Sequence, residues 1–192
     1  GSDPTDRTTV RRPPVDYVAT LNEDTAVKKA GVVTNRSLID ASSEQMMAVF
    51  DDAVNDMRVA GVEMVPFEVP HYEAMHDGTF IALQAEAFSW HRNQLRDKWT
   101  QYGRPTRLTI AQGALISAGD LVQVERVREI ARKAVLAQMG EAGVEVLLSP
   151  TTGYGATPFE GADRKAISLA AIHTPAWNST GFPALSVPMG FD

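Results

Sequence analysis

Apolar positions repeat with two different periods along this chain, and their alternation predicts an α/β fold. Ala30 to Val33 is a short apolar run between polar residues, the mark of a buried strand. Met46, Met47, Phe50, Val54 and Met57 then recur at helical spacing up to Gly61, which suits a helix C-terminus. Ser42, with Gln45 three residues on, reads as the capping box of that helix. Val62 to Val69 is strand-like, with Val62, Met64, Phe67 and Val69 apolar. Strand, helix and strand in about 40 residues make a βαβ unit, which implies parallel strands and a right-handed crossover.

The helical period returns from Tyr72 to Trp99, where Phe80, Leu83, Ala87, Trp90 and Leu95 form a stripe and Gly78 is a candidate break. A third helix begins at Ser117, capped by that hydroxyl and supported by Asp120. Its apolar positions run from Leu121 through Val124, Val127, Ala131 and Val135 to Met139, and it ends at Gly140 or Gly143. Val144 to Leu148 reads as another strand, closed by Ser149-Pro150. Thr151 to Trp177 is rich in Gly, Thr and Pro, with an Ala-rich insert from Ala166 to Ile172. A loop this long is usually functional or mobile. Phe182 to Met189 reads as a final strand punctuated by Pro183 and Pro188. Residues 1–22 are polar, carry three prolines and read as a surface linker. The expectation is a single α/β segment over residues 1–192, part of a mixed, mainly parallel sheet flanked by helices. No internal repeat appears. The first residue is Gly and the last two are Phe191-Asp192; both ends read as cut from a longer chain, and unpaired strand edges predict self-association of the isolated segment.

Composition narrows the function classes. A net charge of −6, with no more than two consecutive Lys/Arg, offers no basic face for nucleic acid. No apolar run approaches the length of a membrane span. Cysteine is absent, which excludes a thiol nucleophile, disulfides and thiolate-bound metal, and fits a cytoplasmic address. The Asn-x-Ser/Thr triplets at Asn35 and Asn178 read as chance rather than as glycosylation sites.

Candidate chemistry is sparse. Gly-x-Ser-x-Gly and Ser-x-x-Lys are both missing, so Ser149, Ser179 and Ser186 read as strand-end or loop serines. His71, Glu73, His76 and Asp77 crowd after Pro70, but histidines five apart point roughly 140° away from each other on a helix. They read as a polar corner, not a metal site. His91, beside Trp90, reads as a packing residue. Gly153-Tyr154-Gly155 follows a strand but lacks the third glycine of a dinucleotide loop, and reads as a turn. The methionines read as core filler. No metal and no cofactor are expected.

Four stretches, in order, resemble the amidase signature family. Gly1-Ser2-Asp3-Pro4-Thr5-Asp6 resembles the Gly-x-Asp-Pro-x-Asp that follows the family's catalytic core. Arg58-Val59-Ala60-Gly61-Val62-Glu63-Met64-Val65, then Val69-Pro70, resembles its next helix-to-strand unit. Val144-Glu145-Val146-Leu147-Leu148-Ser149-Pro150-Thr151 is similar to its strand ending in Pro-Thr. The run from Thr174 to Gly190, through Asn178-Ser179-Thr180-Gly181-Phe182-Pro183-Ala184-Leu185-Ser186-Val187-Pro188, resembles its most specific segment. The resemblance implies a parent enzyme that cleaves amides with a Ser–cis-Ser–Lys triad and backbone oxyanion donors. That triad precedes Gly-x-Asp-Pro-x-Asp in the family, so no catalytic residue is carried over, and Lys28, Lys29, Lys98, Lys133 and Lys165 match none. What is implied for this segment is a wall of the cleft, with Thr151, Thr152, Tyr154, Asn178, Thr180 and Gly181 as candidate substrate-binding residues, the last three equally readable as a tight turn. The implied partners are a small-molecule amide and the remainder of the amidase domain. Glu86-Ala87-Phe88-Ser89-Trp90-His91 departs from the pattern of the tRNA-dependent amidotransferases, so a free-standing amidase is the nearer expectation. The alternative is a non-catalytic binding or scaffold subunit that needs a partner chain for any activity.

Overall fold

A computed structural model describes residues 2–6, 9–19, 26–156 and 172–191. Three parallel strands form the sheet: β1 (Lys29–Val33), β2 (Glu63–Phe67) and β3 (Val146–Leu148), in the order β2-β1-β3. Central β1 aligns Gly31 with Val65 on one side and with Leu147 on the other. All three carboxyl ends therefore lie along one edge. The βαβ unit and the parallel pairing expected from the sequence are present, and the strand ends fall within two residues of the apolar runs.

A short helix α1 (Arg36–Asp40) follows β1, and α2 (Glu44–Val59) returns the chain to β2. The cap of α2 differs from expectation: Ser43, not Ser42, accepts from Met46 N at 3.1 Å. Ser42 is turned inward instead, and its hydroxyl donates to Leu38 O. Met46, Phe50 and Val54, each four apart, form the buried stripe of α2.

Helix α3 (Tyr72–Lys98) runs unbroken through Gly78. There Gly78 faces Val124 of α5, and a Cβ at this position would lie 3.7 Å from its methyl group, an ordinary contact. A helix α4 (Arg104–Gln112), unremarked in the sequence pattern, starts with Pro105 in its first turn and packs on α3. Helix α5 (Ala118–Ala142) has the reciprocal capping box of Ser117 and Asp120, and Gly143 closes it in the left-handed conformation at φ 65°. The last helix, α6 (Thr174–Thr180), packs against α3 and α5.

Val33, Leu38, Phe67, Val69, Tyr72, Met75, Ala131, Val135, Val144 and Ala176 form one buried cluster. It joins the sheet to α1, α3, α5 and α6. Residues 2–6 and 9–19 lie at the surface in local turns, such as the one in which Asp3 accepts from the Thr5 amide.

Two further expectations are corrected. Phe182 to Met189 is not a strand: it joins no sheet among the described residues and is mostly exposed, with Leu185 at 87%. Pro183 and Pro188 remove two of the amides that a ladder requires. And Asn178 and Thr180 do not lie in a tight turn but in the last turn of α6, with Gly181 as its left-handed cap at φ 66°. The Ala-rich insert falls almost wholly outside the described residues.

Candidate functional site

Several of the chemistry-bearing residues lie where the three strands end. Beyond β1, Asn35 is buried and acts as a substitute for a backbone unit: its Nδ2 donates to Val69 O at 2.9 Å and its Oδ1 accepts from Val69 N at 2.8 Å. This clamp prolongs the β1–β2 ladder past the strands proper. At 4% exposure the Asn35 amide is closed to a glycosylating enzyme. Beyond β2, Pro70 and His71 turn the chain into α3; His71 takes φ 59°, an αL geometry that His adopts more readily than most side chains.

Beyond β3 the loop Thr151–Tyr154 is tied down at several points. His173 N donates to Thr151 O at 3.1 Å, and Thr152 forms an isolated antiparallel bridge with Ile172. The Thr152 hydroxyl donates to Tyr154 O at 2.8 Å. Ser43 N donates to Gly153 O at 2.7 Å, so the α1–α2 corner holds the loop from the other side. A side chain at Gly153 would collide with Ala41 O, and only glycine permits this approach.

Helix α6 lies across α3 through polar contacts. Thr79 donates to Pro175 O at 2.7 Å, Ser179 donates to Met75 O at 3.1 Å, and Arg128 of α5 donates to Ser179 O at 3.1 Å. The Trp177 indole donates to Ser149 Oγ at 3.1 Å and meets the Tyr72 ring edge-on, with centroids 6.4 Å apart. Burial, with a smaller contribution from Glu73, pushes the Tyr72 phenol up to about 12.

The structure thus brings together Thr151, Thr152 and Tyr154, of which Thr151 is exposed and the other two half-buried. Asn178, Thr180 and Gly181 sit at the far end of α6. Thr180 is buried and donates to Trp177 O at 2.8 Å, so its hydroxyl is committed within the helix, whereas Asn178 is exposed. Among the described residues no hydrogen bond joins the two groups directly; their segments are linked through His173 N, at the start of α6, to Thr151 O and through Trp177 to Ser149.

One serine does sit beside a histidine. Ser42 Oγ lies 3.0 Å from His173 Nε2, a pair separated by 131 positions that no spacing rule signals. Ser42 has a single proton, and it goes to Leu38 O at 2.8 Å. The imidazole therefore donates from Nε2, the reverse of what a base removing the serine proton would do. Burial, with His76 adding to it, holds the His173 pKa down to about 4. The ring is neutral, and its other nitrogen, Nδ1, is buried and meets no partner among the described residues.

The polar corner after Pro70 disperses. Glu73 accepts from Ser37 Oγ at 2.6 Å; His76 lies between Asp77 and Ile172 O, each 3.2 Å away. Among the described residues no three His, Asp or Glu side chains converge as metal ligands. His91 meets Tyr102 OH at 2.9 Å and packs edge-on against that ring, the packing role expected for it. Lys29 pairs with Glu63 at the amino edge of the sheet and Lys133 with Glu129 on α5, far in the fold from the strand ends; Lys165 is not among the described residues.

Comparison with known proteins follows the same outline. An amidase from Pseudomonas putida is 28% identical over 199 residues, covering 100% of this chain and 42% of that protein. One component of the glutamyl-tRNA(Gln) amidotransferase from Mesorhizobium japonicum is 27% identical over 217 residues, covering 99% of this chain and 41% of its own length. The chain spans about two fifths of the length of these relatives. In fold it is similar to the crystal structure of the like-named amidotransferase component from Thermotoga maritima, with a TM-score of 0.70 at 22% identity, covering 100% of this chain and 42% of that one. A bacterial aryl acylamidase of the amidase signature enzymes also has a TM-score of 0.70, at 16% identity, covering 95% and 41%. The pattern of the family described as Amidase matches residues 1–192, end to end: the chain belongs to the Amidase family.

Proposed function

We propose that this chain forms one wall of the cleft in an amidase that hydrolyses carboxylic amide C–N bonds, with nucleophile and base lying in the remainder of the domain. Supporting the reading above all is the placement of Thr151, Thr152 and Tyr154 in a loop anchored at the carboxyl edge of a parallel sheet, where α/β enzymes receive their ligands. Asn178, exposed at the end of α6, and the Gly181 cap beside it complete the proposed lining; Thr180 serves it through the helix terminus. The 192-residue segment is inactive alone on this reading, because Ser42, the serine that meets a histidine, already spends its proton on Leu38 O. A cytoplasmic location and a small-molecule amide substrate belong to the same proposal.

Two polypeptides test it with a simple aryl amide: the 192-residue segment, and the uninterrupted reading frame that contains it. Turnover by the longer polypeptide and none by the segment is expected. Replacing Tyr154 by Ala in the longer one should raise KM about tenfold, as loss of a well-placed contact does. Turnover by the segment alone, abolished by Ser42→Ala, would overturn the assignment.

A further inference from the structure

We propose that His173 is a positioning residue: its Nε2–H, donated to Ser42 Oγ, locks the loop Thr151–Tyr154 against the α1–α2 corner. The inference rests on the proposed cleft-lining role of that loop. Three observations meet in this residue. Its side chain is 1% exposed and reaches Ser42 across 131 positions of sequence. Its backbone amide holds Thr151 O. And the residue after its Ser42 partner, Ser43, holds Gly153 O at 2.7 Å. The loop is thus pinned twice, by His173 on one side and by Ser43 on the other, and the Ser42–His173 hydrogen bond closes the ring that joins the two pins.

The direction of that bond follows from proton supply. Ser42 Oγ donates to Leu38 O and so can only accept from the imidazole. A neutral ring that donates from Nε2 leaves Nδ1 as a bare lone pair, a lesser cost when buried and unpaired than an orphaned N–H would be. The lock requires the Nε2–H tautomer. A glutamine amide can reproduce such a donor in roughly the same place; a phenyl ring fills the volume but donates nothing.

The test uses the complete polypeptide that contains this chain. His173→Phe is expected to raise KM for the amide about tenfold with kcat within about twofold, and His173→Gln to restore most of it. In parallel, amide exchange at Ser43 N–H, which holds Gly153 O, should speed up in His173→Phe and return to the parent rate in His173→Gln. Ring nitrogen NMR of the parent protein should show Nε2 protonated and Nδ1 bare. If His173→Phe fails to fold, Ser42→Ala removes the same bond with a smaller change and should give the same KM and exchange effects. An Nδ1–H tautomer, or unchanged Ser43 exchange in both variants, would overturn the lock. If the parent polypeptide turns over no amide at all, the proposed function fails, while tautomer and exchange still decide the role of His173.

Discussion

Two halves of the molecule are assembled by different forces. Around Phe67, Met75 and Val135 the sheet meets α3 and α5 through almost wholly apolar side chains, the buried Tyr72 hydroxyl being the exception. At the carboxyl edge of the same sheet, a few residues away, segments are held by directional hydrogen bonds, two at Asn35 and one each from Ser42, Thr79, Trp177 and His173. The first arrangement tolerates any side chain of similar volume; the second demands one donor and one acceptor at one place. A region that must present a defined surface gains more from the second, because a hydrogen bond fixes register where oily contact allows sliding.

The sharpest way to break the comparison is to damage each half. Phe67→Ala should destabilise by about 3–5 kcal/mol in denaturant melts, the transfer and cavity terms of a fully buried aromatic. Asn35→Leu should cost somewhat less, about 2–4 kcal/mol, since it keeps the volume but strands both the amide and the carbonyl of Val69. An equal loss for Asn35→Leu and for a volume-matched swap in the core, such as Met75→Leu, would erase the distinction.

Acid probes the polar half through His173, alongside carboxylates such as Asp120 and Glu129 whose ionised forms are held by hydrogen bonds or ion pairs. The imidazole of His173 titrates near 4 in the folded chain and near its ordinary value when unfolded. Between those two pH values the unfolded state holds the extra proton, so stability falls as pH drops from about 6.5 to 4 and levels off below. A shift of this size in a buried ring corresponds to an effect on the order of 3 kcal/mol. A His173→Phe chain should show a flatter profile over this window; an unchanged slope would assign the acid sensitivity elsewhere. The smallest effect belongs to a surface cap: Ser117→Ala should cost about 1 kcal/mol, whichever half it is compared with, because it unpairs only the first turn of α5.

The apolar half was legible in the chain because its information is local. Met46, Phe50 and Val54 repeat every four residues, and Ala30 to Val33 is contiguous, so period alone placed α2 and β1. The polar half was legible only in part. The loop after β3 was recognisable by its Thr-Gly content and by family resemblance, yet nothing near Asn35 announces Val69, and nothing near Ser42 announces His173. Ser42 itself misled, for a serine two residues before a helix looks like its cap until Ser43 takes that place. Phe182 to Met189 misled for the opposite reason. Its apolar, strand-like run reports a preferred backbone but cannot supply a neighbour to pair with.

That unpaired run carries its own safeguard. Between Pro183 and Pro188 only Ala184, Leu185, Ser186 and Val187 retain free-standing amides in sequence. Any foreign β-edge that docked there would find its zipper interrupted after four teeth at both ends. Fibril growth, which feeds on longer uninterrupted stretches, is thereby starved at a place where exposed Leu185 and Val187 would otherwise invite it.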